Sequence, residues 1–280
     1  MPYLERKGKP KLHYQVDDFT DPWRQAPVLI LQHGFGRSSR FWYSWVPYLS
    51  RFFKVVRPDL RGLGQSSADF DVDKDLTVEG FIEDLVAVID ALGSDSIHYC
   101  GESLGGILGM VLAAEHPERV RTLSLISAPL YITEQGQKTF AFGYASWQEA
   151  LKQLGSRGWA EKVNATTRFP AETDPGLQRW YAEEMGKSKV EVLVALSRLA
   201  SKVNVTPYLS RIKTPVLGLY PSSGPLTDQA QEGQMLSNIA KLKIVHLPSR
   251  YHTIQNTAPA SCAIHVLYFA SQHEGFSCRE

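Results

Sequence analysis

A doubly wound, mainly parallel α/β sheet carrying a helical insertion is the fold predicted for this 280-residue chain. Three observations lead there. Short apolar runs alternate with longer amphipathic ones, the pattern of a parallel sheet with helices packed on its faces. The alternation stops between about 130 and 205, where no strong strand candidate occurs and aromatic residues crowd together. Beyond that segment it resumes. The expected division is therefore one α/β core, residues 1–130 and 206–280, with residues 131–205 inserted as a helical cap or lid.

The strand candidates are 28–33 (VLILQH), 53–58 (FKVVRP), 96–101 (SIHYCG), 121–127 (RTLSLIS), 215–220 (PVLGLY) and 242–247 (LKIVHL). Several are apolar on both faces, as strands of a sheet covered on both sides are. Between them, 77–93 places Phe81, Ile82, Leu85, Val86, Ile89 and Leu92 on one helical stripe. Thr77 is its expected N-cap and Gly93 its stop. Residues 103–116 are apolar nearly throughout, so a buried helix is expected there, followed by Pro117. The last helix falls within 256–272. In the insertion, 188–201 reads as a helix. Most of its aromatics (Phe140, Phe142, Tyr144, Trp147, Trp159, Phe169, Trp180, Tyr181) are expected to form its own core, and a few to line a pocket.

Composition excludes several classes of function. A net charge of +1 offers no field for nucleic acid or an anionic membrane. No apolar run is long enough to span a bilayer, and the polar N-terminus lacks the apolar stretch of a secretory signal. Three cysteines, Cys100, Cys262 and Cys278, show no metal-ligand spacing. A reduced, cytoplasmic setting, no metal and no cofactor are expected, with a small molecule as the partner. Cys100, in an apolar strand, reads as a small buried hydrophobe.

Chemistry enters at Gly101-Glu102-Ser103-Leu104-Gly105, a G-x-S-x-G pentapeptide between a strand and a helix. That context is the one the motif requires. A sharp strand-to-helix turn strains the serine backbone and brings neighbouring chains close, so residues without a Cβ must stand beside it. The turn lifts the hydroxyl above the sheet at a helix N-terminus, where developing negative charge is favoured. Acyl transfer also needs two N–H donors aimed at the oxyanion. Leu104 supplies one, and Phe35, in the loop His33-Gly34-Phe35-Gly36 after an earlier strand, supplies the other. His33 itself reads as a hydrogen bonder of that turn.

HGFG (33–36), RPDLRGLGQS (57–66), GESLGG (101–106), HPERV (116–120) and IKTPVLGLY (212–220) stand in one characteristic order. On these motifs the chain resembles the α/β-hydrolases, specifically esterase- or lactonase-like members with a serine nucleophile. The resemblance covers the sheet-forming parts, and the insertion matches the family's variable cap by position only. It implies a Ser–acid–His triad in that chain order. The base then falls in LPSRYHTIQ (247–255), after the last strand, and is His252. The other histidines lie in strands, helices or tails and read as structural or surface groups.

The acid is where this chain departs from the resemblance. The family's G-x-x-D turn is replaced by YPSSGPLTD, with Gly224 at the expected position, and the alternative site one strand earlier holds Ser127. Asp228, four residues beyond Gly224, is the nearest carboxylate, although it could equally cap a helix over 229–239. Glu102 adjoins the nucleophile, where neighbouring side chains should diverge. Either Asp228 reaches His252 through a rearranged turn, or a hydroxyl or carbonyl orients the imidazole. Asp59 and Arg61 read as parts of a structural turn.

The expected activity is cofactor-free hydrolysis of an ester or lactone of a small-to-medium apolar compound through an acyl-enzyme. Amide or carbon–carbon bond hydrolysis at the same site is the alternative chemistry. A ligand-binding protein without turnover is the alternative class. A serine nucleophile, rather than aspartate, argues against epoxide hydrolases and haloalkane dehalogenases. Trp147 and Trp180, in the insertion, are expected to set substrate preference.

Overall fold

A computed structural model describes residues 2–275, so Cys278 lies outside the described residues. The chain forms an eight-stranded sheet in the order β1-β2-β4-β3-β5-β6-β7-β8. The strands are β1 (Tyr3–Leu4), β2 (Leu12–Asp17), β3 (Val28–Gln32), β4 (Lys54–Pro58), β5 (Ile97–Glu102), β6 (Val120–Ile126), β7 (Val216–Pro221) and β8 (Leu242–Leu247). From β4 to β8 every pairing is parallel. β1 and β2 are antiparallel additions at one edge, with Tyr14 opposite Pro58 and Asp17 opposite Val55.

Each expected strand is present, and the period of two explains why several read as apolar on both faces. In β3, Val28 and Ile30 join one core cluster while Leu29 and Leu31 join the other. Tyr99 and Cys100 in β5 divide the same way. The first cluster is covered by α1 (Val78–Ala91) and α2 (Leu104–Glu115). Thr77 caps α1 by accepting the Gly80 N–H at 3.0 Å, and Gly93, at φ +64°, follows its end. α2 is buried along its whole apolar length except its last residue. Trp42, Trp45 and Phe53 cover the second cluster together with Cys262, Ala263 and Val266 of the C-terminal helix.

Between β6 and β7 the chain leaves the sheet for α3 (Glu134–Ala141), α4 (Trp147–Val163), α5 (Pro175–Gly186) and α6 (Val190–Lys202). Thr133, Ser146 and Asp174 accept backbone N–H groups at the starts of the first three. A π-helical turn, Asn164–Arg168, continues α4. The aromatics of this segment do not pack only among themselves. Phe140, Trp147 and Trp159 cluster with Phe35 of the loop after β3, and the Phe35 and Trp147 rings lie 4.8 Å apart. Beyond β7 lies α7 (Gln229–Asn238), and beyond β8 lies α8 (Pro259–Glu274).

Candidate active site

Ser103 lies between β5 and α2 with φ 54° and ψ −117°, a backbone conformation costly for any residue with a Cβ. Its neighbours show how that strain is held. A Cβ on Gly101 would meet the Gly105 carbonyl oxygen at 2.3 Å. One on Gly105 would meet the Gln32 carbonyl oxygen at 2.5 Å, and one on Gly106 the Ala128 Cβ at 2.3 Å. Three glycines thus allow β5, α2 and the end of β3 to converge on the serine.

The loop after β3 is fixed by His33. Its Nε2 accepts the Leu60 N–H at 3.1 Å, so Nδ1 carries the proton and donates to the Gly34 carbonyl at 2.9 Å. Burial depresses the His33 pKa, consistent with a neutral turn residue. Among the described residues, the N–H groups of Phe35 and Leu104 donate to no protein acceptor, which leaves both available to an oxyanion. Asp59 and Arg61 hold turns. Asp59 accepts from the Ser39 and Gln65 N–H groups and contacts His13, and Arg61 grips Asp84 and two carbonyls.

His252 follows β8 in a loop tied to the insertion. Its N–H donates to the Thr167 carbonyl at 2.8 Å, and Thr253 Oγ1 donates to the Arg168 carbonyl at 2.5 Å. Ser103, Leu104, Phe35 and His252 line one narrow cavity of about 30 Å³, walled by Phe140, Trp147 and Trp159. Trp180 is not in this wall. It packs on Phe41 and Tyr43 and faces a wider cleft elsewhere on the surface.

The carboxylate beside His252 is Glu102. Its Oε1 lies 3.3 Å from His252 Nε2. Asp228 instead caps α7, accepting the Gln231 N–H at 2.9 Å, and no hydrogen bond or ion pair joins it to His252 among the described residues. Ser127, buried after β6, and Gly224, against the Pro221 ring, likewise make no bond to His252. Glu102 comes within reach of His252 for a local reason. The loop after β3 draws its carboxylate inward: the Gly34 N–H donates to Oε2 at 3.1 Å and the Arg37 guanidinium pairs with the same oxygen. Tyr181 accepts a hydrogen bond from Arg37 in turn. No sequence signal links Glu102 to Arg37, because the pairing depends on the sheet order that sets β3 beside β5.

Charge in this cluster is finely divided. Burial favours a protonated Glu102, but Arg37 and His252 overcome it and hold the carboxyl down at about 2. Burial pushes the His252 imidazole below its ordinary value. Glu102 opposes that shift, while Arg37 and Arg168 reinforce it. The result is an ionised Glu102 beside a neutral imidazole at pH 7. Among the described residues no group of three or more His, Cys, Asp or Glu side chains could hold a metal ion.

The alpha/beta hydrolase fold profile matches residues 27–183, more than half of the chain. The chain belongs to the α/β-hydrolase family. Among relatives of this α/β-hydrolase, a putative carbamate hydrolase RutD from Agrobacterium fabrum is 31% identical over 42% of the chain and 43% of its own length. The RutD of Klebsiella pneumoniae strain 342 is 24% identical over 69% and 67%. The chain thus spans less than half of the first relative and about two thirds of the second. The enol-lactonase from Burkholderia xenovorans LB400 matches at a TM-score of 0.82, covering 96% of this chain and 100% of that one. At 23% identity, this last likeness is one of fold. The mainly parallel sheet expected from sequence is therefore shared across the family.

Proposed function

We propose that this α/β-hydrolase is a cofactor-free serine hydrolase that cleaves an ester or lactone through an acyl-enzyme, with residues 131–205 as its cap. The observation that carries this reading is the left-handed Ser103 backbone in a cavity shared with His252. Ser103 Oγ attacks the carbonyl carbon as His252 takes its proton. The carbonyl oxygen becomes an oxyanion held by the Phe35 and Leu104 N–H groups. His252 returns the proton to the leaving oxygen, and water then repeats the sequence on the acyl-serine.

Glu102 takes the place of the absent acid. Its carboxylate stands by Nε2 and offsets the positive charge of the imidazolium as that charge develops. Asp228 is left with its capping role. The reading draws support from the relatives, since a carbamate and a lactone each present an acyl carbonyl to such a serine. Among the described residues, Cys100 and Cys262 are free and buried, which fits a reducing, cytoplasmic setting.

A fluorophosphonate probe tests the assignment. It should label Ser103 and no other residue, and labelling should vanish in Ser103→Ala and fall sharply in His252→Ala. Undiminished labelling of Ser103→Ala would refute it.

A further inference from the structure

The cavity holds a cation, Arg168, with no carboxylate partner among the described residues. Arg168 ends the π-helical turn of the insertion and is only 3% exposed. Other buried arginines have carboxylate partners: Arg37 has Glu102, Arg57 has Asp17 and Arg61 has Asp84. Arg168 has none within ion-pair distance among the described residues. Its guanidinium Nη1 donates to the Met185 thioether at 2.7 Å, a weak acceptor. The Trp159 and Tyr181 rings lie 5.5 and 5.2 Å from it. Cation–π contacts offset only part of the cost of taking an unpaired ion out of water. A ligand anion would supply the missing partner.

The position is built. Thr253 Oγ1 holds the Arg168 carbonyl, so the residue next to His252 fixes the guanidinium's backbone in relation to the base. Arg168 lines the same cavity as Ser103 and His252. Burial lowers its pKa to about 10, which still leaves it charged at pH 7. Glu102 is committed to Arg37 and His252. The cavity therefore carries one positive charge in excess, set in aromatic and aliphatic walls.

We propose that Arg168 is an anion subsite and that the substrate is an ester or lactone bearing a carboxylate, which the guanidinium grips while its carbonyl meets Ser103. A planar, bidentate fork is suited to a carboxylate. The small-to-medium apolar substrate expected from composition thus gains an anionic end, with its apolar part against Phe140, Trp147 and Trp159. The inference rests on the serine-hydrolase reading for where the carbonyl sits.

The test compares p-nitrophenyl hemisuccinate, hemiglutarate and hemiadipate with p-nitrophenyl esters of matching length that end in a methyl group. Wild type should show at least tenfold higher kcat/KM for one carboxylated ester than for its neutral match. Arg168→Met should reduce that ratio at least tenfold, chiefly through KM, and Arg168→Lys should recover part of it. A separate binding arm uses Ser103→Ala, which cannot turn over by the proposed route: glutarate should raise its melting temperature, the diamide should not, and adding Arg168→Met should remove the glutarate shift. If wild type shows no preference, or Arg168→Met slows charged and neutral esters equally, the anion subsite is wrong even if hydrolysis stands. If glutarate binds through Arg168 but no ester is cleaved, the subsite stands and the hydrolase reading falls. Should Arg168→Met fail to fold, the wild-type preference and glutarate binding to Ser103→Ala still decide.

Discussion

Ser103 keeps its strained backbone only because its neighbours are small. Gly101→Ala would drive a methyl to 2.3 Å from a backbone oxygen, which cannot yield as a side-chain end can. We expect this variant to lose most activity and to melt well below wild type, as measured by thermal unfolding and probe labelling. Glu102→Gln acts differently. It removes the charge beside His252 and leaves Arg37 buried without its partner, a loss of about 3–5 kcal/mol when one member of a buried pair is removed. Turnover should fall together with stability. The pH profile separates the two effects. His252 must be neutral to act, so kcat/KM should rise with pH through an apparent pKa below the ordinary 6.5 and level off above it. Glu102 raises that pKa, so Glu102→Gln should move the acidic limb to still lower pH. A limb that stays in place would mean that Glu102 does not sense the imidazole.

At the scale of elements, some contributions were legible in sequence and others depended on tertiary placement. The central parallel strands could be read because both faces of β3 and β5 meet a core, which makes them apolar on both sides. β2 was missed because it is of mixed character, LHYQVD, with His13 buried against Asp59. Asp228 presents the clearest choice between elements. As a cap of α7, Asp228→Asn should leave turnover and stability close to wild type, while Asp228→Ala should cost about 1 kcal/mol in denaturant unfolding. A fall of several orders of magnitude in turnover for Asp228→Asn would restore it to the triad. The aromatics of the insertion divide in the same way. Trp147 walls the cavity and Trp180 does not. Trp147→Ala should change the relative kcat/KM values for short and long acyl chains, whereas Trp180→Ala should leave those ratios unchanged. Sequence could show that aromatics crowd the insertion, but not which of them face Ser103. Glu102 and Arg168 were hidden for the same reason, since their partners lie across the sheet or in another loop.

Across the whole molecule, the buried cluster links activity to acid stability. His252 has a depressed pKa in the folded state, so the unfolded chain binds more protons below pH 6.5 and stability falls as pH drops through that region. The Glu102 carboxyl is held at about 2 against an ordinary 4.5, so its contribution is complete above 4.5 and lost as pH falls toward 2. Stability measured against pH should decline in both windows. The insertion is tied to the loop that carries His252 through the Thr167 and Arg168 carbonyls. The most direct test of the central claim, acyl transfer through Ser103, is rapid-quench mass spectrometry of the intact protein with a p-nitrophenyl ester. A transient mass increase equal to the acyl group, mapped to Ser103 and absent from Ser103→Ala, is the predicted result. Steady turnover with no acylated protein at any time, or the same adduct in Ser103→Ala, would contradict it.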